Sequence, residues 1–97
     1  MEDNPSVGEK IQETITTGKV NTFTYPAEYF ASDRGPGMPS FLKTIKSKGV
    51  KVEVMGSKEA LSDAGLHPGD VVEGCAVHEG DSGEAGRSLL FKVGLPD

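Results

Sequence analysis

The sequence predicts a small, mostly β domain: a five-stranded barrel with one short helix between its third and fourth strands. Three observations predict this class. The chain has 97 residues, which leave room for one domain. It contains 13 glycines and 6 prolines, a density typical of short strands joined by turns. Finally, Val50, Val52 and Val54 alternate with mostly charged residues, which is the period of a strand with one buried face.

The first half of the chain is predicted to hold a tail, one strand and a long loop. Residues 1–10 are polar and acidic, so we expect a flexible tail before a single domain at 11–97. Residues 11–25 are rich in threonine, valine, isoleucine and aromatic residues, which favours one strand that is bulged near Gly18. Residues 26–40 contain three prolines and two glycines, and this composition predicts a long loop because proline removes backbone donors.

The second half is predicted to supply the other strands and the helix. Residues 41–56 are expected to form two extended segments that are separated at Gly49. Ser57 is suited to cap a helix of about two turns that stops at Gly65. The last two strands are expected within residues 70–79 and 87–94, joined by a glycine-rich turn.

The composition excludes several classes of protein. Ten Lys and Arg residues against fifteen Asp and Glu residues give a formal net charge of −5, which as an average over the chain argues against an anionic partner. The single cysteine, Cys75, cannot form an internal disulfide, so a disulfide-stabilised secreted domain is excluded and a cytoplasmic location is expected. No apolar run approaches the ~18 residues of a membrane span, so no membrane partner is expected.

Residues 49–78 carry a resemblance to a known family. Their sequence is GVKVEVMGSKEALSDAGLHPGDVVEGCAVH. It resembles one half of the OB-fold of single-stranded-nucleic-acid-binding proteins, the half in which a strand, a short helix and a Pro-Gly-Asp turn follow one another. The resemblance implies an OB-like barrel with a groove across its second and third strands, flanked by residues 26–40 and 79–87. The string AGLHPGDVV also looks like a turn of PDZ domains and like parts of double-psi and SH3-like barrels, so these small folds are alternatives.

The sequence offers little for catalysis. His67 lies in the predicted Pro-Gly turn, and Cys75 and His78 form a C-x-x-H pair. Zinc normally takes four ligands, so this pair alone does not form a metal site. Residues three apart in a strand point to opposite faces, so Cys75 and His78 do not suit a nucleophile and its base either. We therefore predict a protein that is not an enzyme and uses no metal and no cofactor.

The charges are segregated along the chain. Residues 34–58 contain six basic residues and one acidic residue, a local net charge of +5, whereas the preceding and following segments carry −4 and −6. A block of one sign marks an interaction surface more often than scattered charges do. Four of the six aromatic residues border this block. Single-strand binding combines these two ingredients, with cations on phosphates and aromatic rings stacked on bases.

These features predict a single-stranded nucleic-acid-binding protein, with DNA favoured over RNA, that uses a basic barrel face flanked by aromatic residues. The residues predicted to contact phosphates are Arg34, Lys43, Lys46, Lys48 and Lys51. The residues predicted to stack on bases are Tyr25, Tyr29, Phe30 and Phe41. Another interpretation of the same residues is structural, because lysines also protect exposed strand edges and aromatic residues also fill cores.

A second function class also fits the sequence. A protein-interaction or adaptor module would dock a partner through a strand edge or through the loop at 26–40, and a chain this small could instead form a homodimer. Eight acidic residues follow position 58, and they favour this class because an acidic rim repels phosphate. Oligonucleotide binding that weakens as salt rises would distinguish nucleic-acid binding from protein interaction.

Overall fold

A computed structural model describes residues 4–31, 37–80 and 88–96, and within these ranges four helices pack on one face of a five-stranded sheet. The helices are α1 (Asn4–Thr17), α2 (Glu28–Ala31), α3 (Met38–Lys46) and α4 (Lys58–Asp63). The strands are β1 (Asn21–Pro26), β2 (Lys51–Gly56), β3 (Val71–Val72), β4 (Cys75–Glu79) and β5 (Ser88–Gly94).

The sheet is mixed and open. Its strands follow the order β1-β5-β2-β4-β3. β5 pairs antiparallel with β1 and with β2, β2 pairs parallel with β4, and β4 pairs antiparallel with β3. Because β1 and β3 form the two outer edges, the sheet does not close on itself. A small β-rich domain with five strands is confirmed, whereas a barrel is not.

The five strands are not the five that the sequence predicts. Residues 41–46, predicted as a strand, form the second half of α3, and the predicted fourth strand is the hairpin of β3 and β4. The apolar spacing explains α3, because Met38, Leu42 and Ile45 are buried and lie four and three residues apart, on one helical face. The short helix that the sequence predicts after the valine strand is present as α4.

The N-terminal region also differs from its prediction. α1 includes residues 4–10 of the predicted tail and the first part of the predicted strand at 11–25. Ile11 and Thr14 are both buried and lie three residues apart, so a helix places them on one face where a strand would separate them. Gly18, with φ 79°, ends the helix in the left-handed conformation and donates its N–H to the carbonyl of Thr14 at 2.8 Å. The predicted bulge is therefore a helix end.

The helices cover one face of the sheet and leave the other uncovered. Leu89, Phe91 and Val93 alternate along β5 and are fully buried against the helices, as are Val52 and Val54 in β2. α1 lies on this same side, since the buried Thr14 hydroxyl accepts a 2.9 Å bond from the Asn21 side chain. The sheet therefore has one packed face and one face on which no helix of the described ranges lies.

The hairpin between β3 and β4 turns at Glu73 and Gly74, whose φ angles are 51° and 80°. Positive φ at both central residues defines a type I′ turn, which suits asparagine and glycine and strains other residues. Lys46 of α3 supports the turn, because its Nζ donates to the backbone carbonyl oxygen of Glu73 at 3.1 Å.

Glu73→Asn is expected to raise the free energy of unfolding by about 0.5–1 kcal/mol, because asparagine tolerates the left-handed conformation better than glutamate does. Urea unfolding followed by circular dichroism measures the change. Glu79→Asn is the matched control, since it removes the same charge from an exposed position without a positive φ. Equal stabilisation by both substitutions would show that charge, and not the turn, is responsible.

Candidate binding surface

Four of the predicted phosphate-binding lysines lie at one end of the domain. Lys43 and Lys46 lie in the last turn of α3, Lys48 lies in the turn that follows, and Lys51 begins β2. Arg34 lies outside the described residues. Cations near the C-terminus of a helix interact favourably with its dipole, so Lys43 and Lys46 also stabilise α3. The four lysines thus belong to the region where α3 ends and β2 begins, and Lys43 and Lys46 have a structural role there.

Lys46 contributes to the fold more directly than the other lysines. Its side chain is half-buried, and its ammonium group joins α3 to the Glu73 carbonyl of the β3–β4 hairpin. A substitution at Lys46 therefore disturbs folding and any binding at the same time. Lys43 and Lys48 are exposed and are better probes of this end of the domain.

The predicted stacking residues form one aromatic cluster on the packed face of the sheet. The ring centroids of Tyr25, Phe30 and Phe41 lie 6.1, 5.8 and 5.3 Å from that of Phe91. Phe30 is 8% exposed, so it is a core residue and has no free ring face for a base. Tyr29 is 39% exposed and is the most accessible ring of the four. Packing in the core accounts for most of this cluster.

Tyr25 of the aromatic cluster and Lys51 lie at opposite ends of the sheet, whereas Phe41 and Lys43 are two residues apart on α3. Tyr25 pairs with Leu89, the second residue of β5, whereas Lys51 pairs with Gly94, the last residue of that strand. At ~3.3 Å per residue, the two positions are about 16 Å apart along β5. Lys51 also precedes Val52, which points into the core, so Lys51 points to the other face. Tyr25 and Lys51 therefore do not face one groove, and the nucleic-acid site as a whole stays a prediction.

The uncovered face of the sheet is a surface that the sequence analysis missed. We call it the open face. Strand alternation and register assign to it Thr22, Thr24, Lys51, Glu53, Met55, Val71, Ala76, His78, Leu90, Lys92 and Gly94. Each of these residues is half-buried or exposed, and none is buried.

Three of the larger side chains on the open face are apolar. Met55 and Leu90 are half-buried cross-strand partners on the inner strands β2 and β5, whereas Val71 lies on the outer strand β3 and is 69% exposed. An exposed sheet face is normally polar, so these residues depart from the usual alternation. The sequence signal was available, because apolar Met55 and Leu90 occupy the positions of β2 and β5 that face away from the core. It could be recognised only once the register was known.

One end of the open face contains a shallow depression of about 250 Å³, which we call the end pocket. Its lining includes Val20 and Leu95, which are 51% and 45% exposed, and the charged side chains of Lys51, Glu53 and Lys92. Glu53 and Lys92 are cross-strand partners. The end pocket therefore combines two aliphatic walls with two amines and one carboxylate, at the same end of the domain as Lys43 and Lys48.

Cys75 and His78 lie on different faces of β4. Cys75 is fully buried, and desolvation by burial raises the pKa of its thiol above the ordinary value of 9.0. His78 is exposed on the open face. A buried thiol with a raised pKa is a poor nucleophile and a poor metal ligand, because both roles require the thiolate.

Groups that could hold a metal ion are absent from the part of the chain that the structure describes: no three His, Cys, Asp or Glu side chains converge there. Within residues 4–31, 37–80 and 88–96, no helix has the length and apolar character needed to cross a bilayer. Comparison with family models, with curated proteins and with solved structures finds no match to this chain.

Proposed function

We propose that this domain is a non-enzymatic protein-interaction module that docks a partner on the open face of its sheet. One observation carries the proposal: the apolar side chains of Met55 and Leu90 lie side by side on a sheet face that no helix of the described residues covers, and Val71 is exposed on the outer strand of that face. Apolar side chains on an uncovered sheet face are unfavourable in water and are a feature of interaction sites. The opposite face of the same sheet already has its helical cover, so the open face is where a further layer can pack.

A face-on contact fits the structure better than pairing at a strand edge. Lys10 of α1 donates its Nζ to the carbonyl oxygen of Thr22 at 2.7 Å, so part of the β1 edge is already bonded. β1 also ends at Pro26, which has no N–H to donate. At the other edge, β3 has only two residues. Strand addition needs a row of unpaired backbone groups, and neither edge offers a long one.

Leu90→Asp is expected to weaken binding of peptides that are selected on the domain from a displayed random library, by about tenfold or more. A carboxylate at this position would lose its hydration beneath an apolar partner side chain. Fluorescence anisotropy of labelled peptides measures the change. Val71→Asp is a second test variant, because that side chain is largely exposed and its substitution spares the fold.

Ser62→Asp is the control for these variants, because Ser62 is exposed on α4, on the opposite side of the sheet. Its peptide affinities should equal those of the wild type. Equal affinities for the wild type, Leu90→Asp and Val71→Asp would reject the open face as the docking surface, provided that circular dichroism shows all the variants folded. Failure to select any peptide would reject it as well.

Binding of single-stranded nucleic acid is a second candidate function. One observation favours it: Lys43, Lys46, Lys48 and Lys51 gather at one end of the domain. The OB-like barrel and its groove would strengthen this candidate, but the sheet is open, and Tyr25 lies at the far end of it from Lys51. Phosphate contacts without base stacking would then supply the affinity.

A titration of a fluorescent oligothymidylate tests this second candidate. If phosphates are neutralised, the logarithm of the binding constant should fall linearly with the logarithm of the salt concentration. The double variant Lys43→Glu with Lys48→Glu should abolish binding, whereas Lys58→Glu in the first turn of α4 should not. Absence of binding at ~50 mM salt would reject nucleic-acid binding.

A further inference from the structure

Two glycines lie next to the aliphatic walls of the end pocket. A Cβ placed on Gly94 would lie 3.5 Å from Cγ2 of Val20, and one placed on Gly18 would lie 3.3 Å from Cδ1 of Leu95. A side chain at Gly18 would therefore crowd Leu95, whereas one at Gly94 would make an ordinary contact with Val20. Val20 and Leu95 are about half exposed beside the depression, and its volume is about 250 Å³.

The size of the end pocket favours a single side chain as its occupant. Pockets for drug-sized ligands and cofactors range over roughly 300–1,000 Å³ and bury most of the ligand. The end pocket is smaller and lies on the surface of a sheet. Its walls at Val20 and Leu95 are aliphatic, and an aliphatic side chain such as leucine would bury apolar area on both of them.

The charges around the end pocket favour an acidic partner. Lys92 is exposed on the open face and lines the pocket, and the described lining holds the amines of Lys51 and Lys92 and the carboxylate of Glu53. The exposed Lys43 and Lys48 add positive charge at the same end of the domain. A protein segment rich in Asp and Glu has the complementary charge, and such complementarity steers association and sets the register of a complex.

A peptide suits the end pocket better than a nucleic acid does. Bases bind through stacking on aromatic rings, and the described lining contains no aromatic residue. Aliphatic walls next to lysines instead match a chain that alternates carboxylates with aliphatic side chains. The aromatic cluster lies on the other face of the sheet, and its Tyr25 is about 16 Å from Lys51 along β5.

We infer that the end pocket receives one aliphatic side chain from an acidic segment of a partner protein, and that the carboxylates of that segment pair with Lys92 and Lys48. This inference rests on the proposed function, because the end pocket is part of the open face. To the proposed function the inference adds two things, the chemistry of the partner and its orientation on the open face. The acidic segment of the partner lies at the end of the sheet where β2 begins.

The test uses a fluorescein-labelled ten-residue peptide of Asp and Glu with one central Leu. Its matched probes have Ser in place of Leu, or Lys in place of the acidic residues, and a 20-nucleotide oligothymidylate serves as the nucleic-acid probe. The leucine peptide should bind the wild type, bind less tightly as salt rises, and bind more tightly than its serine and lysine counterparts.

Lys92→Glu should weaken binding of the leucine peptide roughly fivefold or more, because an attractive exposed charge becomes a repulsive one. Val20→Ser should weaken the same peptide and leave the serine peptide unchanged, which separates the apolar contact from the ionic one. The matched charge reversal Lys58→Glu should change neither affinity, since Lys58 lies on α4 at the other end of β2.

The outcomes separate this inference from the proposed function. If the leucine peptide fails to bind, or binds Lys92→Glu and Val20→Ser as tightly as the wild type, the end pocket is not its site and the inference fails. If Leu90→Asp still weakens binding of the library peptides, the proposed function is supported without the inference. If Leu90→Asp leaves their affinity unchanged, both the proposed function and the inference are rejected. If oligothymidylate binds more tightly than the leucine peptide, and if Lys92→Glu abolishes that binding, this end of the sheet binds nucleic acid and the inference is wrong.

Discussion

Phe91→Ala is expected to lower the free energy of unfolding by about 3–5 kcal/mol, which is a large part of the ~5–15 kcal/mol that stabilises a typical domain. Phe91 is fully buried in the central strand β5. Its ring stacks on Phe23 of β1 at a centroid distance of 5.3 Å and contacts Phe30 of α2 and Phe41 of α3. Removal of the ring leaves a cavity at the junction of two strands and two helices. Urea unfolding measures the loss.

Two further substitutions calibrate this result. Phe91→Leu keeps most of the apolar volume, so we expect it to cost about 1–2 kcal/mol. Tyr29→Ala removes a ring of the same cluster that is partly exposed, and it should cost less than Phe91→Ala. If Phe91→Ala costs no more than Tyr29→Ala, the aromatic cluster is not the centre of the core, and an exposed role for these rings regains support.

The Cys75 thiol is expected to react with a thiol reagent at least about a thousandfold more slowly in the folded domain than in urea. Cys75 is fully buried in β4, and desolvation raises the pKa of its thiol, so little thiolate forms and the reagent has no access. Reaction therefore has to wait for β4 to open. Absorbance of the released thiol product at pH 8 gives both rates. Rapid labelling of the wild type under native conditions would contradict the burial of β4.

The same thiol gives the stability a pH dependence with a defined sign. Its pKa is higher in the folded domain than the ordinary value of 9.0, so the unfolded chain loses this proton first. The stabilising contribution of the thiol to the free energy of unfolding is fully present below pH 9. It is lost as the pH rises through the pKa that the thiol has in the folded domain. Cys75→Ala should remove this part of the decline in stability above pH 9, as measured by urea unfolding at several pH values. An unchanged pH profile in Cys75→Ala would assign the decline to other groups.

The predictions that agree with the structure rest on local signals. Val52 and Val54 are buried at alternate positions of β2, as their period indicates. Ser57 caps α4 by accepting the backbone N–H of Ala60 at 3.1 Å, and Gly65 follows with φ 77°. Caps, turns and strand periods depend on neighbouring residues, so they can be recognised from the sequence without knowledge of the fold.

The predictions that differ depend on tertiary contacts. The threonine-rich segment before Gly18 has strand propensity, yet burial of Ile11 against the core and the bond from Asn21 to Thr14 favour a helix there. One pair of predicted site residues is separated for a related reason. Tyr25 and Lys51 lie on different strands, and because β5 lies between these strands they pair with opposite ends of it. No local pattern specifies that insertion.

The central position of β5 also affects how the chain folds. β1 and β2 have no hydrogen bonds to each other in the sheet order, and each pairs with β5, which is synthesised after every other element described. Pairing of Asn21 with Val93 closes a loop that spans most of the chain, so the contact order is high and folding is expected to be slow relative to helical domains. Until β5 is available, β1 and β2 expose unpaired edges, and a nascent or truncated chain that lacks β5 is expected to aggregate through them.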